Sequence, residues 1–209
     1  MNVNSASKGA RLGILGGTFN PIHNAHLAIA RAATEHFHLD EVLFVPAHTP
    51  PHKGEQQVST EQRMRMLQLA LGGHAGFRIS TVELERQGVS YTIDTIRALR
   101  EEDPSRELCF IIGDDSLVQL HSWKSIHELM KLCRFITVSR PGIDVDQLCQ
   151  NIHFDSQTVQ QLLADRTEAC NLNISSTMIR EYVREGRSIQ HLVPTEVAKY
   201  IRDNKLYLE

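Results

Sequence analysis

The sequence has no long apolar run, no run of basic residues and no closely spaced pair of cysteines. No stretch approaches the ~20 apolar residues of a transmembrane helix, and residues 1–11 lack the apolar core of a secretion signal. A formal net charge of −3 without a basic stripe argues against general binding to nucleic acids or membrane surfaces. We therefore expect a cytoplasmic protein that contacts neither membranes nor nucleic acid.

The four cysteines form no metal-binding or redox pattern. Cys109, Cys133, Cys149 and Cys170 include no CxxC pair and no zinc-ribbon spacing. We expect reduced structural thiols and no metal site built from protein ligands alone.

Short apolar runs alternate with longer amphipathic stretches, which is typical of a parallel sheet covered by helices. Strands are predicted at residues 12–15, 42–45, 77–84, 108–112 and 135–138. Helices are predicted at residues 24–37, 92–101, 176–185 and 194–204, and after a capping box at Ser59 and Gln62. Residues 144–170 are mostly polar, with one helix-like patch at residues 159–164. This predicts a single α/β domain with a small C-terminal helical part and a flexible start over residues 1–10.

The strongest local signal is GGTFNPIHNAH, residues 16–26, at the end of the first predicted strand. A glycine pair there lets the backbone approach a phosphate, and a helix start favours an anion. Open α/β sheets bind their ligands at this end of the strands. The dinucleotide fingerprint GxGxxG and the lysine-bearing P-loop are both missing. The segment therefore predicts a phosphate site of another kind.

His23 and His26 lie three positions apart and so share one face of the helix start. Two imidazoles there could donate hydrogen bonds to phosphate oxygens that gain charge during transfer. The pair could also be a chance feature of a polar helix end, or half of a metal site. The adjoining glycines favour the phosphate interpretation.

Residues 16–26 resemble the GGTFDPxHxGH element of the nucleotidyltransferase superfamily named for its HxGH motif. ISSTMIR, residues 174–180, is similar to the ISSTxIR element of the same superfamily. PPHK (residues 50–53), SYT (residues 90–92) and IGDDSL (residues 112–117), followed by Trp123, narrow the resemblance to bacterial nicotinate mononucleotide adenylyltransferases. The resemblance covers residues 11–207 and implies a Rossmann-like nucleotidyltransferase fold.

The resemblance implies an enzyme that joins AMP from ATP to nicotinate mononucleotide, giving deamido-NAD and pyrophosphate, with Mg²⁺ accompanying ATP. The implied catalytic residues are His23, His26 and Arg180. The implied ATP-binding residues are Gly16, Gly17, Thr18, Phe19, Gly113, Asp115, Ser175 and Ser176. The implied mononucleotide-binding residues are His52, Lys53, Tyr91, Thr92 and Trp123.

Several of these residues have simpler interpretations. Ser175 and Ser176 could serve as a helix N-cap, and Trp123 could belong to the core. Asp114 and Asp115 could bind Mg²⁺ or cap the next helix.

The chain also departs from the family pattern. Asn20 stands where the family usually has Asp, Ala25 where it has Gly, and Asp114 where it often has a small or neutral residue. Asn20 lacks the charge of the usual Asp, and we expect the extra methyl group of Ala25 to have a modest effect on nucleotide fit.

Other functions stay open at this stage. The acceptor could be nicotinamide mononucleotide or phosphopantetheine, the transferred group could be cytidylyl, or the chain could be a nucleotide sensor without activity. A complete set of phosphate donors favours an enzyme. The sequence does not determine the oligomeric state, so a homo-oligomer is also open.

Overall fold

The computed structural model describes residues 9–49, 58–140, 142–169 and 173–208. Predictions for residues 1–8, His52, Lys53 and Cys170 lie outside this part of the chain. Six parallel strands form one sheet in the order β3-β2-β1-β4-β5-β6. They are β1 (Arg11–Gly17), β2 (Glu41–Pro46), β3 (Phe77–Ile79), β4 (Glu107–Ile112), β5 (Arg134–Ser139) and β6 (Arg166–Glu168). The predicted parallel sheet is confirmed.

The central strands are apolar along their length because helices cover both faces of the sheet. In β1, Leu12 and Ile14 belong to one buried cluster and Leu15 to the other. The cluster with Leu15 includes residues of the helices Asn24–Phe37, Thr60–Leu71, Ser176–Arg184 and Thr195–Asp203. The cluster on the opposite face includes residues of the five helices from Thr92–Glu102 to Ser156–Ala164. The C-terminal helices therefore pack on the sheet near the end of β1.

The helices are α1 (Asn24–Phe37), α2 (Thr60–Leu71), α3 (Val82–Arg86), α4 (Thr92–Glu102), α5 (Asp114–Gln119), α6 (Ile126–Leu132), α7 (Val145–Gln150), α8 (Ser156–Ala164), α9 (Ser176–Arg184) and α10 (Thr195–Asp203). The predicted helices are confirmed to within two residues, including the two C-terminal ones. The predicted capping box is present, since Ser59 N–H donates to Gln62 Oε1 at 2.8 Å and Gln62 N–H donates to Ser59 Oγ at 3.3 Å. Within the described part of the chain, no helix has the length and apolarity to cross a membrane.

The strand predicted over residues 77–84 is wrong in its second half. Pairing with β2 ends at Ile79, and the chain then turns into α3. The alternating residues of 81–85 mimic a strand, but β3 is an edge strand with one partner. Glu83 is buried in α3 and accepts a hydrogen bond from Thr95 Oγ1 at 2.6 Å. This contact with α4 satisfies the carboxylate only when the segment is helical.

Residues 144–169, which the sequence left largely unassigned, form α7, α8 and the edge strand β6. Asp144 and Asp155 cap the two helices through their side chains. β6 pairs with β5 and brings Arg166 beside the end of β5. This segment therefore completes the sheet at the edge next to β5.

The strand order reverses direction between β1 and β4. β1 pairs with β2 on one side and with β4 on the other. Ligands of open α/β sheets bind at the carboxyl ends of strands flanking this point. Here those ends carry Gly16 and Gly17 on β1 and Gly113 after β4.

Candidate active site

The turn of residues 16–21, called the glycine turn below, leaves the end of β1 and leads into α1. Phe19 has a φ of 49° and a buried ring that packs edge-on against His26, with the ring centroids 5.1 Å apart. A Cβ on Gly17 would lie 3.1 Å from the Phe19 ring. Glycine at this position therefore lets Phe19 fold beneath the turn and support His26. Phe19 can reach a ligand only through its backbone.

The two predicted histidines form one unit at the start of α1. His23 is the N-cap, and its backbone N–H donates to Nδ1 of His26 at 3.3 Å. The rings stack with centroids 3.7 Å apart. Because Nδ1 of His26 accepts this bond, the neutral ring carries its proton on Nε2. The N–H donor of the neutral His26 ring is therefore at Nε2.

His23 is buried, and burial lowers its pKa to about 4. The ring is therefore neutral at neutral pH and can donate a hydrogen bond without carrying charge. Its Nδ1 has no hydrogen-bond partner within the described part of the chain. Buried polar atoms without partners are rare and often mark functional sites.

The lowered pKa of His23 predicts a pH-dependent stability. The unfolded chain, with a histidine pKa near 6.5, binds this proton more readily than the folded chain. The free energy of unfolding is therefore undiminished above pH ~6.5 and falls as the pH drops toward ~4. We expect a loss of about 2 kcal/mol between pH 7.5 and 5 from this group.

Urea unfolding of the natural protein and of His23→Gln at both pH values measures this contribution. The variant should lose about that much less stability on acidification. Equal losses in the two proteins would contradict the assignment to His23.

The histidine pair faces the segment that follows β4 across a small cavity. His23, His26, Gly113 and Asp115 all line this cavity, which has a volume of about 180 Å³. Ile143 and Ile174 contribute apolar walls. The fold thus brings residues from the start, the middle and the C-terminal part of the sequence together around this cavity.

The two aspartates after Gly113 differ in their surroundings. Asp114 accepts hydrogen bonds from Ser139 Oγ at 2.5 Å and from the Arg140 N–H at 3.3 Å, and it lies 3.7 Å from Arg166 Nε. The side chain of Asp115 is 90% exposed, and its ion pair with Arg140 is 3.5 Å long. Asp114 therefore ties the start of α5 to β5 and β6, which leaves Asp115 accessible to a ligand.

Helix α9 meets the glycine turn from the side of the C-terminal helices. Ser176 Oγ donates to the Pro21 carbonyl at 2.9 Å, and Arg180 Nη1 donates to the Asn20 carbonyl at 2.8 Å. Ser175 is the N-cap of α9, because its Oγ accepts from the Met178 N–H at 3.1 Å. Ser175 therefore serves as a helix N-cap, as its simpler interpretation predicted. Its hydroxyl can still donate a hydrogen bond.

The residues predicted to bind the pyridine ring lie across the sheet from α9. Tyr91 caps α4, and Thr92 is its first residue. Lys124 Nζ lies 4.2 Å from the centre of the Tyr91 ring. Trp123 is half-buried and contacts Phe110 and Phe135 edge-on, at 5.7 and 6.1 Å between ring centroids. Trp123 therefore packs partly on the core and shares one side of the sheet with Tyr91.

His52 and Lys53 lie outside the described residues, but the start of their loop is placed. Thr49 pairs with Val89, and the Ser90 N–H donates to the Thr49 carbonyl at 3.0 Å. The His48 N–H donates to Ser90 Oγ at 3.0 Å. The segment that precedes residue 50 therefore runs directly beside the start of α4.

Two buried residues at the glycine turn were not predicted from the sequence. Arg63 Nη1 donates to the Thr18 carbonyl at 2.8 Å, and Tyr207 Oη donates to Asn20 Oδ1 at 2.6 Å. A signal for Arg63 existed, because it precedes the buried Met66 and Leu67 by three and four positions and so shares their helix face. Tyr207 gave no such signal.

Known proteins resemble this chain in sequence and in fold. A family model described as cytidylyltransferase-like matches residues 14–182. A "probable nicotinate-nucleotide adenylyltransferase" of Geobacter sp. (strain M21) is 42% identical, over 95% of this chain and 99% of that protein. A protein of the same name from Geobacillus kaustophilus is 43% identical, over 94% and 86%. The structure of Plasmodium falciparum nicotinic acid mononucleotide adenylyltransferase complexed with NaAD shares the fold, with a TM-score of 0.75 at 19% identity, covering 96% of this chain and 100% of that one.

Proposed function

The chain belongs to the cytidylyltransferase-like family, and from its close relatives there we infer that it is a nicotinate-nucleotide adenylyltransferase of NAD biosynthesis. It joins the AMP part of ATP to nicotinate mononucleotide and releases pyrophosphate. The observation that carries the assignment to this cleft is the convergence of His23, His26, Gly113 and Asp115 on one cavity beside the N-terminus of α9. We place the triphosphate against the glycine turn and the nucleoside of ATP toward Gly113 and Asp115.

The reaction we propose is an in-line displacement. The 5′-phosphate of the mononucleotide attacks the α-phosphorus of ATP, and the bond between that phosphorus and the bridging oxygen of the β-phosphate breaks. The attacking oxygen is already anionic near neutral pH, so no strong general base is needed. The protein must align the two phosphates and stabilise the charge that develops on them. No covalent enzyme intermediate is required.

Each proposed donor has a defined state in the structure. His23 is neutral, and its partner His26 keeps its Nδ1 occupied by a backbone N–H. Arg180 donates one hydrogen bond from Nη1 to the Asn20 carbonyl and another from Nη2 to Thr177 Oγ1, at 3.2 Å. The remaining N–H groups of the guanidinium can bind phosphate oxygens while these anchors fix its orientation. The site therefore combines preorganised hydrogen-bond donors from imidazole rings with the charged donor of Arg180.

Mg²⁺ fits this site as a companion of ATP. Magnesium sites in nucleotide enzymes combine one or two carboxylates with phosphate oxygens and water. Because Asp114 is occupied by Ser139 and Arg140, Asp115 is the carboxylate at this cavity that we expect to approach the ion. Bound there, Mg²⁺ would neutralise charge on the triphosphate.

On the mononucleotide side, we propose that Tyr91, Thr92 and Trp123 form the pyridine pocket and that His52 and Lys53 face the phosphate. Lys124 supports this placement, because its ammonium group lies above the Tyr91 ring beside the proposed pocket, with its charge partly offset by Asp94 at 3.4 Å. A carboxylate on the pyridine ring would be attracted there, whereas the neutral amide would not. This favours the acid over the amide as substrate.

Pyrophosphate release in the presence of ATP and Mg²⁺ tests the proposal, with nicotinate mononucleotide and nicotinamide mononucleotide offered in parallel. We expect release with the acid and at least tenfold slower release with the amide, since sites built for one hydrogen-bonding pattern discriminate strongly. EDTA should abolish the release. Equal rates with both would contradict the pyridine pocket. No release with either, although ATP binds, would favour another acceptor or a sensor.

A further inference from the structure

The glycine turn is held from its buried side by three long side chains that come from three different parts of the chain. Arg63 of α2 donates to the Thr18 carbonyl at 2.8 Å. Arg180 of α9 donates to the Asn20 carbonyl at 2.8 Å, and Tyr207 donates to Asn20 Oδ1 at 2.6 Å. Arg180 already belongs to the proposed catalytic set. We propose that Arg63 and Tyr207 are positioning residues, which fix the glycine turn in the conformation that binds the phosphates of ATP.

Arg63 is 1% exposed, although it carries a guanidinium. Burial lowers its pKa, and its Nε has no hydrogen-bond partner within the described residues. Its second bond, from Nη2 to Thr60 Oγ1 at 3.1 Å, anchors it to the start of its own helix. Burying a cation is costly unless its bonds are strong and well aligned. The bond to the Thr18 carbonyl connects α2 to the glycine turn, and the bond to Thr60 fixes the guanidinium for that contact. A buried cation held in this way indicates that the geometry of the turn matters.

The bond to the Thr18 carbonyl determines the direction of a backbone N–H. The carbonyl of Thr18 and the N–H of Phe19 belong to one planar trans peptide, so they point in opposite directions. Arg63 draws the carbonyl to the buried side, and the Phe19 N–H must then point away from α2. Exposed backbone N–H groups of this kind are the usual donors to phosphate at such turns.

Tyr207 acts on the neighbouring residue. It is 4% exposed, and its φ of 63° is uncommon for a residue with a side chain. Burial raises the pKa of its hydroxyl well above the usual range, so the group stays protonated and donates. Asn20 is also buried, and removal of the hydroxyl would leave its Oδ1 without this donor. The chain's last described turn is thereby coupled to the first motif.

The proposal rests on the proposed function, and kinetics separates the two. Tyr207→Phe should lower kcat/KM for ATP about tenfold and leave KM for nicotinate mononucleotide within about twofold, the scale expected when one buried hydrogen bond is lost. Arg63→Met should lower kcat/KM for ATP about thirtyfold, and Arg63→Lys, which keeps the charge and one donor, should recover part of the loss.

Matched controls exist on α2 itself and on α10, the helix that precedes Tyr207. Arg65→Met removes an exposed arginine from α2, and Tyr200→Phe removes a hydroxyl from α10 without touching the glycine turn. Both variants should have the same kcat/KM for ATP as the natural protein. Thermal unfolding and active-site titration establish the folded fraction of each variant. Folded Tyr207→Phe and Arg63→Met with unchanged ATP kinetics would overturn the proposal. An equal change in KM for both substrates, or a loss of activity that a smaller folded fraction fully explains, would also overturn it.

His26→Ala, measured alongside, tests the proposed site itself. If it retains turnover, the placement of ATP is wrong. If it loses turnover while the folded Tyr207 and Arg63 variants do not, the site stands and the positioning role fails.

Discussion

Replacing His26 by alanine is expected to lower kcat by about a hundredfold or more, the scale of losing one preorganised donor to the transition state. The ring of His26 is fixed on three sides, by the His23 N–H, by the stacked His23 ring and by the edge of Phe19. A donor held this firmly needs no reorganisation when charge develops on the phosphates. Steady-state pyrophosphate release at saturating ATP and nicotinate mononucleotide measures the change.

Two further variants separate chemistry from helix stability. His26→Gln restores a side-chain acceptor for the N-cap N–H, as in a capping box, so its thermal stability should return while its turnover stays far below normal. His36→Ala changes an exposed histidine at the other end of α1 and should be close to normal in both respects. Near-normal turnover of His26→Ala would contradict its assignment as a catalytic residue.

Arg180→Met is expected to lower kcat/KM for ATP by about a thousandfold, the upper end of what one donor contributes. The guanidinium bonds the Asn20 carbonyl and also brings positive charge to the proposed phosphate site. Its loss therefore removes the proposed contact with the substrate together with an anchor of the glycine turn. Both KM for ATP and kcat should change, because the contact exists in the bound and in the transition state.

Arg180→Lys tests the importance of the planar fork. It keeps the charge but cannot bond the Asn20 carbonyl and a phosphate in the same geometry, so we expect a partial recovery. Arg184→Met, one turn further along α9 and exposed, is the control. If Arg184→Met loses as much activity as Arg180→Met, the effect comes from surface charge in general.

Local sequence patterns correctly predicted the elements whose structure depends mainly on neighbouring residues. The buried run ending in Gly16 and Gly17 predicted β1, and residues 24–37 predicted α1 with its observed bounds. The Ser59–Gln62 capping box marked the start of α2. The family motifs located four of the residues that line the cavity, namely His23, His26, Gly113 and Asp115.

Other features of the fold depend on contacts between segments that are distant in the sequence. Residues 81–85 alternate like a strand, but burial of Glu83 against Thr95 of α4 makes them helical. The sequence left open whether Asp114 binds Mg²⁺ or caps a helix, and its contacts with β5 and β6 make it a structural link. The energies that decide such cases come from burial and hydrogen bonds across the fold, which no local pattern records.

The sequence alone thus determined the alternation of strands and helices, the position of the glycine turn with its two histidines, and the family, because each depends on residues close together in the chain. Only the tertiary structure decided what holds that motif in place. Arg63 and Tyr207 lie 45 and 187 residues from their partners Thr18 and Asn20. Hydrogen bonds act over about 3 Å, so such pairs become visible only when folding has brought the segments together.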